Sequence, residues 1–239
     1  MRVFLAGATG AIGRRLTPLL VAAGHPVTAT TRSAEKAAAL KAQGAEPVVV
    51  DVFDSDRLCA AVVAARPDVV IHQLTDLPQI FDPVRSVDVL RRNSRLRIEG
   101  TANLVAAARA SGSRRIIAQS IAFAYTPGAE PRAESDPLAF GEGEEPSAIT
   151  ARGVRALETA VLGAPGITGI VLRYGRLYGP GTWFATAQSL HVDAAAKAAL
   201  LAVSRGTPGV YNIAEDDGAL TVDKARRELG FDATFRLAH

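Results

Sequence analysis

Three glycines, Gly7, Gly10 and Gly13, recur every third residue where a short apolar run gives way to a helical pattern. Loops of this kind suit one sort of chemistry, the cradling of phosphate. Glycine takes the tight turns that bring backbone N–H groups against an anion. The helix opened by the loop adds free N–H groups and a partial positive charge. Gly7 and Gly10 supply the turns. Gly13 lets the helix lie close to its sheet, and Thr9, Ala11 and Ile12 complete the loop. The plainer alternative is a turn with no ligand.

Two later segments extend that site. The second apolar run ends Thr28-Ala29-Thr30-Thr31-Arg32-Ser33, with no acid to hold ribose hydroxyls. Arg32 is suited to pair with a 2′-phosphate, with Thr31 and Ser33 as hydroxyl donors and Arg14 adding charge. This spacing predicts NADP(H) in preference to NAD(H). A solvated Arg32 at the start of a helix is the alternative. Asp51, followed by Val52, ends the third run and is placed to accept from an adenine amino group or to cap a helix. Leu74 and Thr75 end the fourth and are expected to line the nicotinamide-ribose side.

The elements that must carry these residues alternate. Strands are expected at Arg2–Ala6, Pro26–Thr31, Glu46–Val50, Val69–Leu74, Arg115–Gln119, Thr168–Arg173 and Gly209–Ile213. Helices are expected at Ala11–Ala23, Ala34–Ala42, from Asp54 or Ser55 to Ala65, Val84–Ser111, Ser147–Leu162, Asp193–Ser204 and Thr221–Leu229. Short uninterrupted apolar strands between helices predict a parallel sheet covered on both faces. The fold class is therefore α/β, a Rossmann-type doubly wound sheet.

Composition narrows the function classes. The 239 residues carry a net charge of only +3, and the arginine clusters at Arg91, Arg92, Arg95, Arg97 and at Arg114, Arg115 are short and interspersed with acids such as Glu99. A nucleic-acid surface would be broader. No apolar run approaches the ~18–20 residues a membrane span needs. The single cysteine, Cys59, excludes a disulfide framework and a cysteine metal site, so a cytoplasmic protein with no metal is expected.

The distributed motifs resemble the extended or atypical short-chain dehydrogenase/reductases, the NAD-dependent epimerase/dehydratase group. They are Gly7–Gly13, Val70-Ile71-His72, Glu99-Gly100-Thr101-Ala102-Asn103-Leu104, Ser120, the run from Leu172 to Gly181, His191-Val192-Asp193 and Tyr211-Asn212-Ile213. The resemblance implies a Rossmann core, here residues 1–173. It also implies a small C-terminal substrate lobe, residues 174–239, with elements returning to the core. Only residues 182–191 separate Gly181 from Val192, so either that lobe is reduced or the sequence lacks flexible segments there. Relatives often dimerise through the helices matching Val84–Ser111 and Ser147–Leu162, so a homodimer is implied.

The same resemblance implies a catalytic Ser or Thr followed by Tyr-x-x-x-Lys, in which the lysine lowers the tyrosine's pKa. Ser120 takes the serine position. Glu158 matches a Glu that often follows the Lys by four residues, which places Val154 at the lysine and Thr150 at the tyrosine. No Tyr or Lys lies between Tyr125 and Tyr174. The remaining candidates for proton donor are Tyr125, Tyr174 (also placed beside the cofactor), Tyr178 or a water. The expected function is an NADP(H)-dependent oxidoreductase acting on a small carbonyl, hydroxyl or activated alkene. The alternatives are a non-catalytic NADP(H)-binding sensor and a sugar-nucleotide epimerase or dehydratase.

Overall fold

A computed structural model describes residues 1–78, 86–139, 143–184 and 189–237. The chain runs β1 (Val3–Ala6), α1 (Gly13–Ala22), β2 (Val27–Thr31), α2 (Ala34–Ala42), β3 (Glu46–Val49), α3 (Ser55–Ala65) and β4 (Val69–His72). It continues with α4 (Ser86–Arg95), a π-helical turn at Leu96–Gly100, α5 (Thr101–Ala110), β5 (Arg115–Ile121), α6 (Pro146–Leu162) and β6 (Thr168–Tyr174). The last elements are β7 (Leu177–Tyr178), β8 (Leu190–His191), α7 (Val192–Ala202), β9 (Gly209–Ile213) and α8 (Asp223–Leu229).

Seven strands form one sheet in the order β3-β2-β1-β4-β5-β6-β9. Every pair in it is parallel. The order reverses between β1 and β4, and a doubly wound sheet opens its ligand crevice at that switch point, outside the C-terminal strand ends. The central strands β1 and β4 are buried along their whole length, which explains their unbroken apolar sequences. One apolar layer joins the sheet to α1 and α7. The other joins it to the α3, α5 and α6 side.

One expectation changes. The helix expected over Val84–Ser111 begins outside the described residues, and its remainder is two α-helices joined by the π-helical turn. The extra residue seats Gly100 against Val52, where a Cβ would meet Val52 Cγ1 at 3.1 Å. The segment after Tyr174 contributes β9 to the main sheet and lays α7 against α1. The two-stranded ribbon β7–β8, too short to leave a periodic signal, joins the ends of that excursion.

Candidate functional site

The loop after β1 is shaped by contacts that a side chain would destroy. Gly7 has φ +92°, and a Cβ on it would lie 2.5 Å from the carbonyl oxygen of Gln73. A Cβ on Gly13 would run into the backbone of Gly7 and Ala8. Gly10 N donates to Gly7 O at 3.1 Å and closes the turn. Thr9 and Ala11 flank it half-buried, while Ile12 packs into the core. Helix α1 starts with no capping side chain and no acid in its first turn. By contrast, Asp54 caps α3 by accepting from Arg57 N at 3.1 Å. The first turn of α1 is thus free to receive an anion.

Arg32 lies beyond the end of β2. Its side chain is 65 % exposed, and its ionic contact is a long one, 3.7 Å to Asp76 Oδ1. Asp76 is itself shared with Arg92, 3.2 Å away. Thr31 turns inward, and its Oγ1 accepts from Ser33 N at 3.1 Å, so it shapes the turn that presents Arg32. Asp51 is exposed, with Oδ1 accepting from Phe53 N at 2.9 Å. The capping role weighed for Asp51 belongs to Asp54. Val52 is buried, and its carbonyl accepts from Asn103 Nδ2 at 2.9 Å. Leu74 and Thr75 are half-buried past the end of β4, beside the glycine loop.

On the other side of the crevice the predicted hydroxyls are present but already engaged. Ser120, 1 % exposed, donates to Glu158 Oε1 at 2.6 Å. Glu158 holds Arg173 in a two-pronged pair, Nε to Oε1 at 2.9 Å and Nη2 to Oε2 at 2.7 Å. Arg173 Nη1 donates to the Tyr125 hydroxyl at 2.8 Å, and Tyr125 donates to Asn212 Oδ1 at 2.7 Å. Burial lowers the Arg173 pKa, but the hydrogen bonds and charge of Glu158 outweigh it and hold the guanidinium above its ordinary value. Burial likewise pushes the Tyr125 hydroxyl up, against the pull of Arg173.

Tyr174 lies in the α1/α7 layer and donates to the carbonyl of Ala195 at 3.2 Å, and burial drives its pKa far up. Tyr178 donates to Glu215 Oε1 at 2.8 Å, and Tyr211 to Glu228 Oε2 at 2.6 Å. Each of the chain's four tyrosines therefore gives its proton to a fixed partner. Thr150 donates to the carbonyl of Pro146 at 2.8 Å, and Val154 packs with Ile121, Ala124 and Leu138. The structure gathers Ser120 and Tyr125 around Arg173, and leaves Tyr174 outside that network.

Two groups named in the sequence only as parts of a motif and of a charged cluster turn out to be buried. His72, at the end of β4, is fully buried. Its Nδ1 accepts from Leu74 N at 3.2 Å, so Nε2 carries the proton and donates to Thr101 Oγ1 at 3.0 Å. Burial, with the charge of Arg97 second, lowers its pKa to about 4. Arg97 itself, read as part of a solvated cluster, is 6 % exposed. The signal was its phase. Arg91, Arg95 and Glu99 share one exposed helix face, whereas Arg97 follows Asn93 and Ser94 on the buried one.

Comparison with known proteins agrees with this geometry. A family described as NAD(P)H-binding matches residues 7–178. A 3-diazoavenalumate denitrifying reductase of a Streptomyces species is 40 % identical over 242 residues, covering 92 % of this chain and 77 % of that protein. A UDP-glucose 4-epimerase of Mycolicibacterium smegmatis is 30 % identical over 145 residues, covering 58 % of this chain and 45 % of that one. Among solved structures, the UDP-glucose 4-epimerase of Thermotoga maritima superposes with a TM-score of 0.79 at 18 % identity, covering 99 % of this chain and 94 % of that one. The dTDP-glucose 4,6-dehydratase of Streptomyces venezuelae gives 0.78 at 17 %, covering 99 % and 93 %. The chain belongs to the NAD(P)H-binding family, has the fold of the epimerases and dehydratases it superposes on, and is an NAD(P)-dependent oxidoreductase.

Proposed function

We propose that the protein is an NADP(H)-dependent reductase that passes hydride to an electrophile needing no proton donor, a diazo-bearing planar aromatic acid. One observation carries this reading: every tyrosine and Ser120 already donate their protons to fixed partners. A ketone reductase must protonate an alkoxide as it forms. A diazo carbon makes no such demand. Hydride from the nicotinamide forms a C–H bond there, the C–N bond breaks, and dinitrogen leaves with that electron pair. The substrate is reduced and the nicotinamide oxidised, with no proton transferred.

The similarity to a reductase named for a diazo compound supports this substrate class. So do Phe123 and Arg176. Ile121 and Tyr174 are paired at the ends of β5 and β6, and each of these two residues lies two positions further on. The Arg176 guanidinium stacks 4.7 Å above the Phe123 ring and has no acidic partner among the described residues. An exposed ring under a free cation suits a flat, anionic substrate. NADP(H) in preference to NAD(H) rests on the loosely held Arg32 and the absence of an acid at the end of β2.

The test is to mix the protein with NADPH deuterated at the transferable position and 4-carboxybenzenediazonium. Deuterium on the ring carbon that held nitrogen, with one dinitrogen per cofactor oxidised, is the expected result. Cofactor oxidation with no deuterium in the product would overturn the reading. So would turnover of ketones and none of the diazonium.

A further inference from the structure

Helix α4, the π-helical turn and α5 present a polar inward face. Asn93 Oδ1 accepts from Asp76 N at 3.0 Å, and Thr101 receives His72. The two groups between them are unpaired. Ser94 Oγ is enclosed with no hydrogen-bond partner. Arg97, one turn later on the same side, makes no hydrogen bond or ion pair among the described residues. The residue keeps 6 % of its surface exposed, so it is buried without being sealed off.

The charges around Arg97 do not balance. Glu158 acts on it only through space, since both carboxylate oxygens are bonded to Arg173 and one also to Ser120. Glu134, the other acid near Arg173, accepts from Asn212 N through its carboxylate. His72 is held neutral. Both oxygens of Glu158 are thus taken, and Arg97 has no bonded counterion among the described residues. An unpaired buried charge is costly, and here burial lowers the Arg97 pKa to about 10. A ligand oxygen would remove that cost.

Position tells which ligand. Helical side chains lean toward the helix N-terminus, which here points Arg97 toward the C-terminal edge of the sheet, where the crevice opens. It neighbours His72 at the end of β4, and the next two residues, Gln73 and Leu74, abut Gly7. The π-helical turn adds a second mark, because such turns recur at functional sites.

We propose that Arg97 is an oxyanion site that holds a substrate oxygen conjugated to the carbon that accepts hydride. This rests on the reductase reading and adds to it the residue that bears the developing charge. In a neutral diazo ring with a conjugated oxo group, hydride forms the C–H bond and dinitrogen leaves with the C–N pair. The oxygen is left as a phenolate. The guanidinium stabilises that anion until solvent protonates it, which supplies electrostatically what the tyrosine and lysine of relatives supply through a proton.

A binding experiment tests this without turnover. 4-Nitrophenol is added to the protein with oxidised cofactor bound, and the yellow phenolate is followed against pH. The bound phenol is expected to ionise at least one pH unit lower than free phenol. Arg97→Met should abolish that shift and Arg97→Lys should keep part of it. Circular dichroism checks that both variants are folded. An equal shift in Arg97→Met, or none in the parent, overturns the oxyanion site. In turnover, Arg97→Met is expected to lower kcat about 100-fold or more, with cofactor affinity unchanged. A loss confined to cofactor affinity would assign Arg97 to the cofactor and overturn the proposal. A parent that shifts nitrophenol but reduces no diazonium would sink only the reductase reading.

Discussion

The two halves of the crevice handle polar groups in opposite ways. Over β1, β2 and β3 they are left open. The first turn of α1 has no side-chain cap, Arg32 makes one long ionic contact of 3.7 Å among the described residues, and Asp51 is exposed. Over β4, β5 and β6 they are closed. Ser120, Glu158, Arg173, Tyr125 and Asn212 form one bonded chain, and among the described residues Gln73 Oε1, Ser94 and Arg97 are buried outside it without a partner. The first half is a surface waiting for charge. The second is a framework whose hydroxyls are bonded and whose buried, unpaired Arg97 stands out for that reason.

The largest test of this contrast is Glu158→Ala. It would leave Arg173 and Arg97 buried together without a counterion, and loss of one partner of a buried pair costs about 3–5 kcal/mol. Urea unfolding should show a drop of that size. A loss under about 1 kcal/mol would mean that the closed half is not held by this pair.

His72 gives a pH test of about 3 kcal/mol. Its folded pKa of about 4 lies below the ordinary histidine value of 6.5. Above 6.5 neither the folded nor the unfolded state takes up a proton there. As pH falls from 6.5 toward 4 the unfolded state binds a proton and the folded state does not, so stability declines across that window. Unfolding free energies at pH 7.5 and 4.5 measure the decline, and His72→Gln should flatten it. An unchanged slope in the variant would assign the decline to other groups.

On the open side, Arg32→Glu should weaken NADPH binding about 10- to 100-fold, the loss of a charge-assisted contact plus repulsion of the phosphate. NADH binding should hold or improve. Equal NADPH and NADH affinities in the parent would remove Arg32 from the cofactor argument. The smallest effect is expected from Ser120→Ala, which removes one hydrogen bond to Glu158 at about 1 kcal/mol and leaves kcat nearly unchanged. A kcat loss of 100-fold with stability intact would return Ser120 to the chemistry.

The fold was largely legible from the chain, because buried parallel strands and helical periodicity leave local patterns. Val69–His72 and Ser55–Ala65 are examples. The local shape of the open half was legible for the same reason: Gly7 takes its positive φ in the turn after β1, and Arg32 follows β2 directly. The closed half was not legible. Ser120 finds Glu158 across 38 residues and Tyr125 finds Asn212 across 87. A hydroxyl in a sequence carries no sign of where its proton will go.

The sequence by itself determined the nucleotide loop, the missing acid after β2 and the missing Tyr-x-x-x-Lys, since residue type and spacing are enough for each. Only the tertiary structure decided which partners Ser120 and the tyrosines bond, and that Arg97 faces inward. Hydrogen-bond partners are chosen by packing between distant segments. The face a helical residue presents depends on phase, and one added residue in a π-helical turn rotates the rest of the helix by about 100°.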